Sequence, residues 1–396
     1  MTENAWRKMR LEDALARPEV RDRARAALDA GPLCDHCLGR LFAGVDTGRS
    51  NADRGRIIRT ALSAPLPGET CDLCHGLFAG VDAWIPRARA ALEGWEFATF
   101  AVSSHAEPGI TAREEALWQR AGDDLAEPYK QAFNRLLGIR ICDVTGWQTN
   151  LADPDVILYA DHRTGEVTVR IDPLFVRGRY RKLVRGMPQC RWWDWPTSIQ
   201  QVVGDPICAA AGGEDHAFHG CGREDVDVLC LGERPFVVQV QRPRRRRLDW
   251  AALTAEINRS GKVEVVGLEP CRRPEVARLK GLRPDKTYRA RVSLGGPVSD
   301  EHLERLRGLV GPIQQQTPLR VLKRRTDLMR TRLVKSFTWQ AINNHTLEIT
   351  VRAQAGTYIK ELINGNEGRT RPSLALVLGL PAECVELDVL DIHVEE

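Results

Sequence analysis

No stretch of the 396-residue sequence stays apolar for the roughly 18 residues that a membrane-spanning helix needs. Its opening residues, MTENAWRKMRLEDALARPEV, lack the apolar core of a secretory signal. These absences argue against a helical membrane protein and predict a soluble, cytoplasmic chain with no membrane partner. Cofactor signatures are missing as well: no Walker loop, no Gly-x-Gly-x-x-Gly after a strand, no Asn/Asp-Pro-Pro-Tyr. What the chain does have is core material. Apolar residues make up 43% and charged residues 28%, a globular balance, and the length asks for two or three domains.

Acidic residues are absent from residues 177–191, where Arg177, Arg179, Arg181, Lys182, Arg185 and Arg191 fall. A second run, Arg242-Pro-Arg-Arg-Arg-Arg247, is wholly basic apart from its proline. A third holds Arg320, Lys323, Arg324, Arg325, Arg330, Arg332 and Lys335 against Asp327 alone. One such run is ordinarily a solvated face. Three arginine-dominated runs fit a polyanion better, because the planar guanidinium grips phosphate in two places and a nucleic acid rewards several such grips. The expected partner is nucleic acid.

Eleven cysteines in a chain read as intracellular call for something other than a disulfide framework. Four fall as Cys34-Asp-His-Cys37 and Cys71-Asp-Leu-Cys74. The surrounding segments, CDHCLGRLFAGVD (34–46) and CDLCHGLFAGVD (71–82), are near-copies with one residue deleted. Each half of this duplication offers two thiolates, which suits a closed, structural tetrahedral zinc site. Reduced or redox-active thiols remain the other reading. His36 and His75 adjoin the cysteines but are not needed as ligands. The other cysteines (142, 190, 208, 221, 230, 271, 384) are dispersed and suit small core or surface positions.

Periodicity predicts helices over residues 17–29 and 51–62, a strand over 95–104, and a largely helical stretch over 114–137 broken near Gly122 and Pro128. Residues 155–161 and 166–171 alternate around a short turn, the pattern of a strand pair. A domain boundary is expected near residues 196–202, followed by an α/β or α+β domain.

The segment Gly222-Arg-Glu-Asp-Val-Asp-Val-Leu-Cys-Leu-Gly232 predicts a loop entering a strand. A Gly-Glu-Arg-Pro turn and a second strand, Phe236-Val-Val-Gln-Val-Gln241, are expected after it. Asp225 and Asp227 would share one strand face, opposite Val226 and Val228. Carboxylates at the mouth of a strand beside Arg223 are candidates for chemistry; loop caps or a surface ion pair would use the same residues.

GREDVDVLCLGERPFVVQVQRPR resembles the signature of the archaeal tRNA pseudouridine synthases that modify the T arm, the tenth type in the classification of these enzymes. The resemblance extends to the twin CxxC knuckles, Gly178-Arg-Tyr-Arg-Lys-Leu-Val-Arg-Gly-Met-Pro-Gln189 and Lys286-Thr-Tyr288. It continues through Gln316-Thr-Pro-Leu-Arg-Val-Leu-Lys-Arg-Arg325, Gly356-Thr-Tyr-Ile-Lys-Glu-Leu362 and Asn366-Glu-Gly-Arg-Thr-Arg-Pro-Ser373. It implies an α/β (α+β) multidomain chain: a zinc-binding region (1–90), a THUMP-type RNA-binding domain (91–200) and a synthase domain with a central mixed or antiparallel sheet (201–396). Cys190 and Trp192–Trp193 depart from the family pattern in the linker.

Residue by residue, the resemblance implies that Asp225, two positions after Arg223, is the nucleophile, with Arg223 pairing its carboxylate and Asp227 in support. Tyr288 would stack on a flipped uridine and help remove the C5 proton. Tyr358 and Lys360 would contact substrate, and Leu387 would pack beneath the base. The tyrosines by themselves would equally suit core or rim positions. The implied protein is a monomer acting on the T arm of tRNA, carrying structural zinc at Cys34, Cys37, Cys71 and Cys74 and needing no organic cofactor. A non-catalytic, zinc-containing THUMP-type RNA-binding protein is the alternative.

Overall fold

The computed structural model describes residues 3–65, 70–323 and 325–394. Arg324, one member of the third basic run, therefore lies outside the described residues. The chain forms two compact units, 1–172 and 173–396, and no described helix is long and apolar enough to cross a membrane.

In the first unit, the expected helices are Pro18–Asp29, started by its proline, and Asn51–Leu62, capped by Ser50 accepting from the Asp53 amide. The helical stretch is interrupted as its sequence predicts. Pro108–Ala121 ends at Gly122, and Tyr129–Thr145 begins after Pro128 and stops at left-handed Gly146. Four strands pair in the order β2-β1-β3-β4: β1 (Thr99–His105), β2 (Gln148–Thr149), β3 (Val156–Asp161) and β4 (Val167–Ile171). β1 runs parallel to β3, while β3 and β4 form the expected antiparallel pair. One apolar core, including Phe42, Trp84, Phe100 and Phe133, serves the unit.

The second unit is organised by a ten-stranded mixed sheet. Its members are β5 (Leu174–Lys182), β6 (Asp215–Gly220), β7 (Leu229–Gln241), β8 (Val263–Cys271) and β9 (Asp285–Leu294). The others are β10 (Gly311–Gln316), β11 (Met329–Asn343), β12 (Thr346–Ala353), β13 (Thr370–Arg371) and β14 (Ala382–His393). The order is β13-β10-β11-β12-β9-β14-β7-β5-β8, with β6 on β7. All pairings are antiparallel except β14 with β7, joined at Asp388–Leu229 and Val389–Cys230. Helices Ile199–Ala211 and Trp250–Asn258 pack a core against β5, β7 and β8; a second core covers β9, β11, β12 and β14. The two cores meet where β7 begins, so the loop before β7 stands at the junction of the half-sheets.

Two expectations change here. The division falls between Asp172 and Pro173, not near residue 200, because β5 is hydrogen-bonded between β7 and β8 and belongs to the large sheet. The expected Gly-Glu-Arg-Pro turn does not form. β7 continues through residues 232–235, with Arg234 facing Tyr180 and Pro235 facing Arg179 across the ladder and a register shift between the Tyr180–Arg234 and Lys182–Cys230 pairs. Ladder pairing with β5 here, and with β14 and β6 just before and after, outweighs the local turn signal.

Candidate active site and metal centre

The duplicated knuckles come together as the spacing predicts. One ligand atom each from Cys34, Cys37, Cys71 and Cys74 lies within 4.8 Å of all the others. The Cys34 and Cys74 Sγ atoms are 3.7 Å apart. A tetrahedron with Zn–S bonds of about 2.3 Å has S–S edges of about 3.8 Å, so this donor set fits zinc in both chemistry and size. The Cys37 amide donates to the Cys34 Sγ at 3.4 Å, and burial pushes the Cys37 thiol up, a penalty that a bound dication reverses. The first knuckle continues into the short helix Asp35–Gly39, which packs backbone to backbone on Asn51–Leu62. A Cβ on Gly39 would stand 1.8 Å from the Asn51 carbonyl oxygen, so only glycine fits there. Asp35 is held by Arg59 at 2.7 Å, and the His36 ring stacks on Phe78 rather than joining the cysteines.

The second site is built on residues 221–228, between β6 and β7. Glu224 turns inward and pairs at 3.0 Å with Arg234 of β7, both side chains only 1% exposed. The Tyr180 hydroxyl donates to both Glu224 oxygens at 3.0 and 3.1 Å. Gln189 donates to that hydroxyl at 2.9 Å and to the Gly222 carbonyl at 3.0 Å. Arg234 also donates to the Cys221 carbonyl at 2.8 Å. Lys182, fully buried, donates to the carbonyls of Asp225 (3.3 Å) and Val226 (2.8 Å). Burial lowers its pKa while Glu224 opposes the shift. Breaking a buried pair of this kind costs about 3–5 kcal/mol, which makes the loop a fixed element.

Because Glu224 points inward, Asp225 points outward, and its side chain is 45% exposed. Its Oδ2 lies 3.1 Å from Arg320 Nη1 and 3.8 Å from Lys360 Nζ. Arg320 is steadied by Glu361 at 2.8 Å; burial would lower its pKa, but Glu361, with help from Asp225, raises it. Lys360 lies 2.7 Å from Asp227 and draws that carboxyl below its usual range against the opposing effect of burial.

Tyr288, on β9, is registered with Val351 and Val389 on its two neighbours. Burial, with a contribution from the Asp225 charge, pushes its phenol up to about 12. Tyr358 precedes helix Ile359–Asn364; its amide and carbonyl are both held by the buried Gln315 side chain at 2.9 Å. Leu387 is buried on β14, and its carbonyl accepts from Arg185 at 3.0 Å. Arg185 also donates to the Asp227 carbonyl at 2.8 Å.

The structure thus gathers Asp225, Arg320 and Lys360, with Tyr288 near enough to feel the Asp225 charge and Tyr358 at the start of the helix that carries Lys360 and Glu361. It does not bring Arg223 to Asp225. Arg223 is exposed and makes no ion pair among the described residues; Arg320 takes the expected place, because alternate residues of an extended loop are turned by the inward pull on Glu224. Asp225 and Asp227 sit on the loop and not on a strand face. Sequence reasoning passed over Glu361, Glu224, Arg234 and Gln315, and read Arg320 and Lys182 only as members of basic runs. The signal for Lys182 was the alternation of β5, which exposes residues 177 and 179, leaves 181 half-buried and buries 178, 180 and 182. The first basic run is also largely matched: Arg177 pairs with Glu269, Arg179 and Arg181 with Glu233, and Arg185 with Asp388.

These features define a multidomain α/β protein: a four-cysteine module of the zinc type, a small mixed sheet, and a large mixed sheet carrying a carboxylate ringed by cations. Comparison with known proteins makes the class specific. A family model described as "Pus10, C-terminal" matches residues 175–393, and one described as "Pus10 THUMP domain, archaeal" matches residues 84–161. A tRNA pseudouridine synthase Pus10 of Methanothrix thermoacetophila is 39% identical over 92% of this chain and 92% of its own. The protein of that name from Pyrococcus furiosus is 38% identical over 94% of this chain and 98% of its own. A chain of a solved Cbf5-Nop10-Gar1 complex is 22% identical over 53% of this chain and 47% of that one, with a TM-score of 0.33. The chain belongs to the Pus10 family of tRNA pseudouridine synthases.

Proposed function

We propose that this protein isomerises uridine to pseudouridine in the T arm of tRNA, at position 54, 55 or both, with Asp225 as nucleophile. The observation that carries the reading is the outward carboxylate of Asp225, held 3.1 Å from Arg320 on a loop fixed by the buried Glu224–Arg234 pair, in a member of this family. The uridine leaves its stack and enters the pocket. Asp225 attacks the ribose C1′ or the base C6; the N1–C1′ bond breaks, the uracil turns, a C5–C1′ bond forms, and the C5 proton ends on N1. Atoms and oxidation state are conserved, so no organic cofactor takes part. Tyr288 supplies a stacking ring. With its pKa near 12 the phenol is protonated at neutral pH, so any proton it accepts must be passed on through the same hydroxyl. Tyr358, Lys360 and Leu387 line the place of the base, and Arg223 is free for a phosphate. The four cysteines hold one structural zinc, and the protein acts as a monomer.

The test is incubation with an unmodified tRNA transcript and no cofactor, followed by mapping of modified positions. Asp225→Asn removes the nucleophilic charge at constant size, so pseudouridine formation should disappear while tRNA binding survives. Asp227→Asn should keep measurable turnover. Tight binding by the native protein without any isomerisation would instead support a non-catalytic RNA-binding module. Loss of turnover in Asp227→Asn but not in Asp225→Asn would move the nucleophile.

A further inference from the structure

Residues 190–197 stand out as surface that spends apolar area on water. Trp193 is 89% exposed and Trp195 38% exposed, although a tryptophan ordinarily buries most of its large ring. Leu183, ten positions before Trp193, is exposed as well. Clusters of this kind on an otherwise well-packed unit mark contact surfaces. The charges around the rings have one sign: from 177 to 200 the sole acid is Asp194. Arg223 is exposed, and Arg191 is half exposed with Asp205 3.5 Å away.

The chain leading into this segment is tied to the loop bearing Asp225. The Gly186 amide donates to the Val226 carbonyl at 2.9 Å, Arg185 reaches the Asp227 carbonyl at 2.8 Å, and Gln189 reaches the Gly222 carbonyl at 3.0 Å. The Trp195 ring lies directly over Gly186, 3.7 Å from where a Cβ would stand. At its far end the segment is pinned through the Ile199 and Gln200 amides to the carbonyls of Pro188 and Gln189. The tryptophans therefore project from a closed loop whose base is hydrogen-bonded to the residues flanking Asp225.

We infer that the Trp193–Trp195 loop is a stacking platform for an unpaired RNA base next to the target uridine. The inference rests on the reading of Asp225 as the reacting group and adds a binding subsite to it. Drawing a uridine out of its stack bares the π-face of a neighbouring base. An exposed indole is the strongest protein partner for such a face, and it works for any base identity. Arginines around the platform suit the phosphates on either side, which favours RNA over a protein partner at this surface.

The experiment compares the full-length protein with Trp193→Ala and Trp193→Phe against two RNAs: a hairpin whose unpaired loop holds the target uridine, and a duplex of equal length. Trp193→Ala should weaken hairpin binding about tenfold, as expected for the loss of one stacked base, and leave duplex binding and the salt slope in place. Trp193→Phe should retain most of the affinity. Equal hairpin affinity in Trp193→Ala, or an equal loss on both RNAs, overturns the platform. So does a fall in oligomeric state of Trp193→Ala by sedimentation, which would assign the patch to self-association. Pseudouridine formation by the unmutated protein is scored separately. Its absence would overturn the proposed activity, whereas the hairpin-to-duplex comparison would still decide the platform.

Discussion

At the scale of single residues, the informative groups are buried charges that lack the expected kind of partner. Lys182 spends its ammonium on two backbone carbonyls, those of Asp225 and Val226, and on no carboxylate. Replacing it by Met keeps the length and removes a desolvated charge, so unfolding should shift little or even move to higher temperature. The carbonyls then lose their anchor. Because a misplacement on the order of 1 Å costs about a hundred-fold in rate, kcat of Lys182→Met should fall by roughly that factor with KM little changed. A parallel loss of thermal stability and substrate affinity would mark Lys182 as a packing residue instead. His162 gives a pH signature in the other unit. Packed against Phe133 at 4.3 Å between ring centroids, with a hydrogen bond to Tyr129 at 3.1 Å, it is held by burial at a pKa of about 4 against its ordinary 6.5. The unfolded chain thus takes up the proton first. The stability that neutral His162 allows is complete above about pH 6.5 and is lost as pH falls toward 4. Thermal unfolding followed across that range should show the decline, and His162→Asn should flatten it.

At the scale of elements, the knuckles and the loop 221–228 obey different rules. The knuckle cysteines are spaced by local geometry, and Gly39 and Gly55 let the first knuckle's helix touch the helix Asn51–Leu62 backbone to backbone. The purified protein should carry about one zinc per chain by elemental analysis, and Cys34→Ser/Cys71→Ser should carry none. Chelation should unfold the helices around the cysteines and leave the circular-dichroism signal of the ten-stranded sheet, because the sheet has cores of its own. An unchanged zinc content in the double variant would point to other ligands. The loop 221–228 depends on long-range partners: Tyr180 from β5, Arg234 from β7, Gln189 from the connection that follows β5. No neighbour in sequence could have announced them.

At the scale of the whole molecule, charge distribution separates arginines that can meet RNA from arginines that hold the protein together. Arg179 and Arg181 lie in the first basic run but are matched by Glu233 and Glu264. Arg223 carries no such match among the described residues. Neutralising Arg223 should weaken tRNA binding and reduce the slope of log affinity against log salt by about one phosphate's worth. Arg181→Gln should alter that slope much less and show its effect in unfolding, as the loss of partly exposed ion pairs. Slopes measured for the two variants at matched salt check the distinction; equal slopes would contradict it.

What the sequence determined by itself was whatever short-range pattern controls. The paired cysteines, the breaks at Gly122 and Pro128 and the hairpin of β3 and β4 all follow from spacing, backbone restriction or two-residue alternation, and all stand where those rules place them. The long motifs likewise carried the family. Tertiary structure alone decided which cation meets Asp225, since Arg320 lies 95 positions away and Arg223 only two. It also turned the Gly-Glu-Arg-Pro segment into the middle of β7 and placed Lys182 inside a strand that otherwise presents arginines to solvent. The reason is common to all three. A carboxylate or a strand takes its partners from the surfaces that the sheet brings together, and the free energy of satisfying a buried charge or a ladder exceeds any preference of the residues beside it.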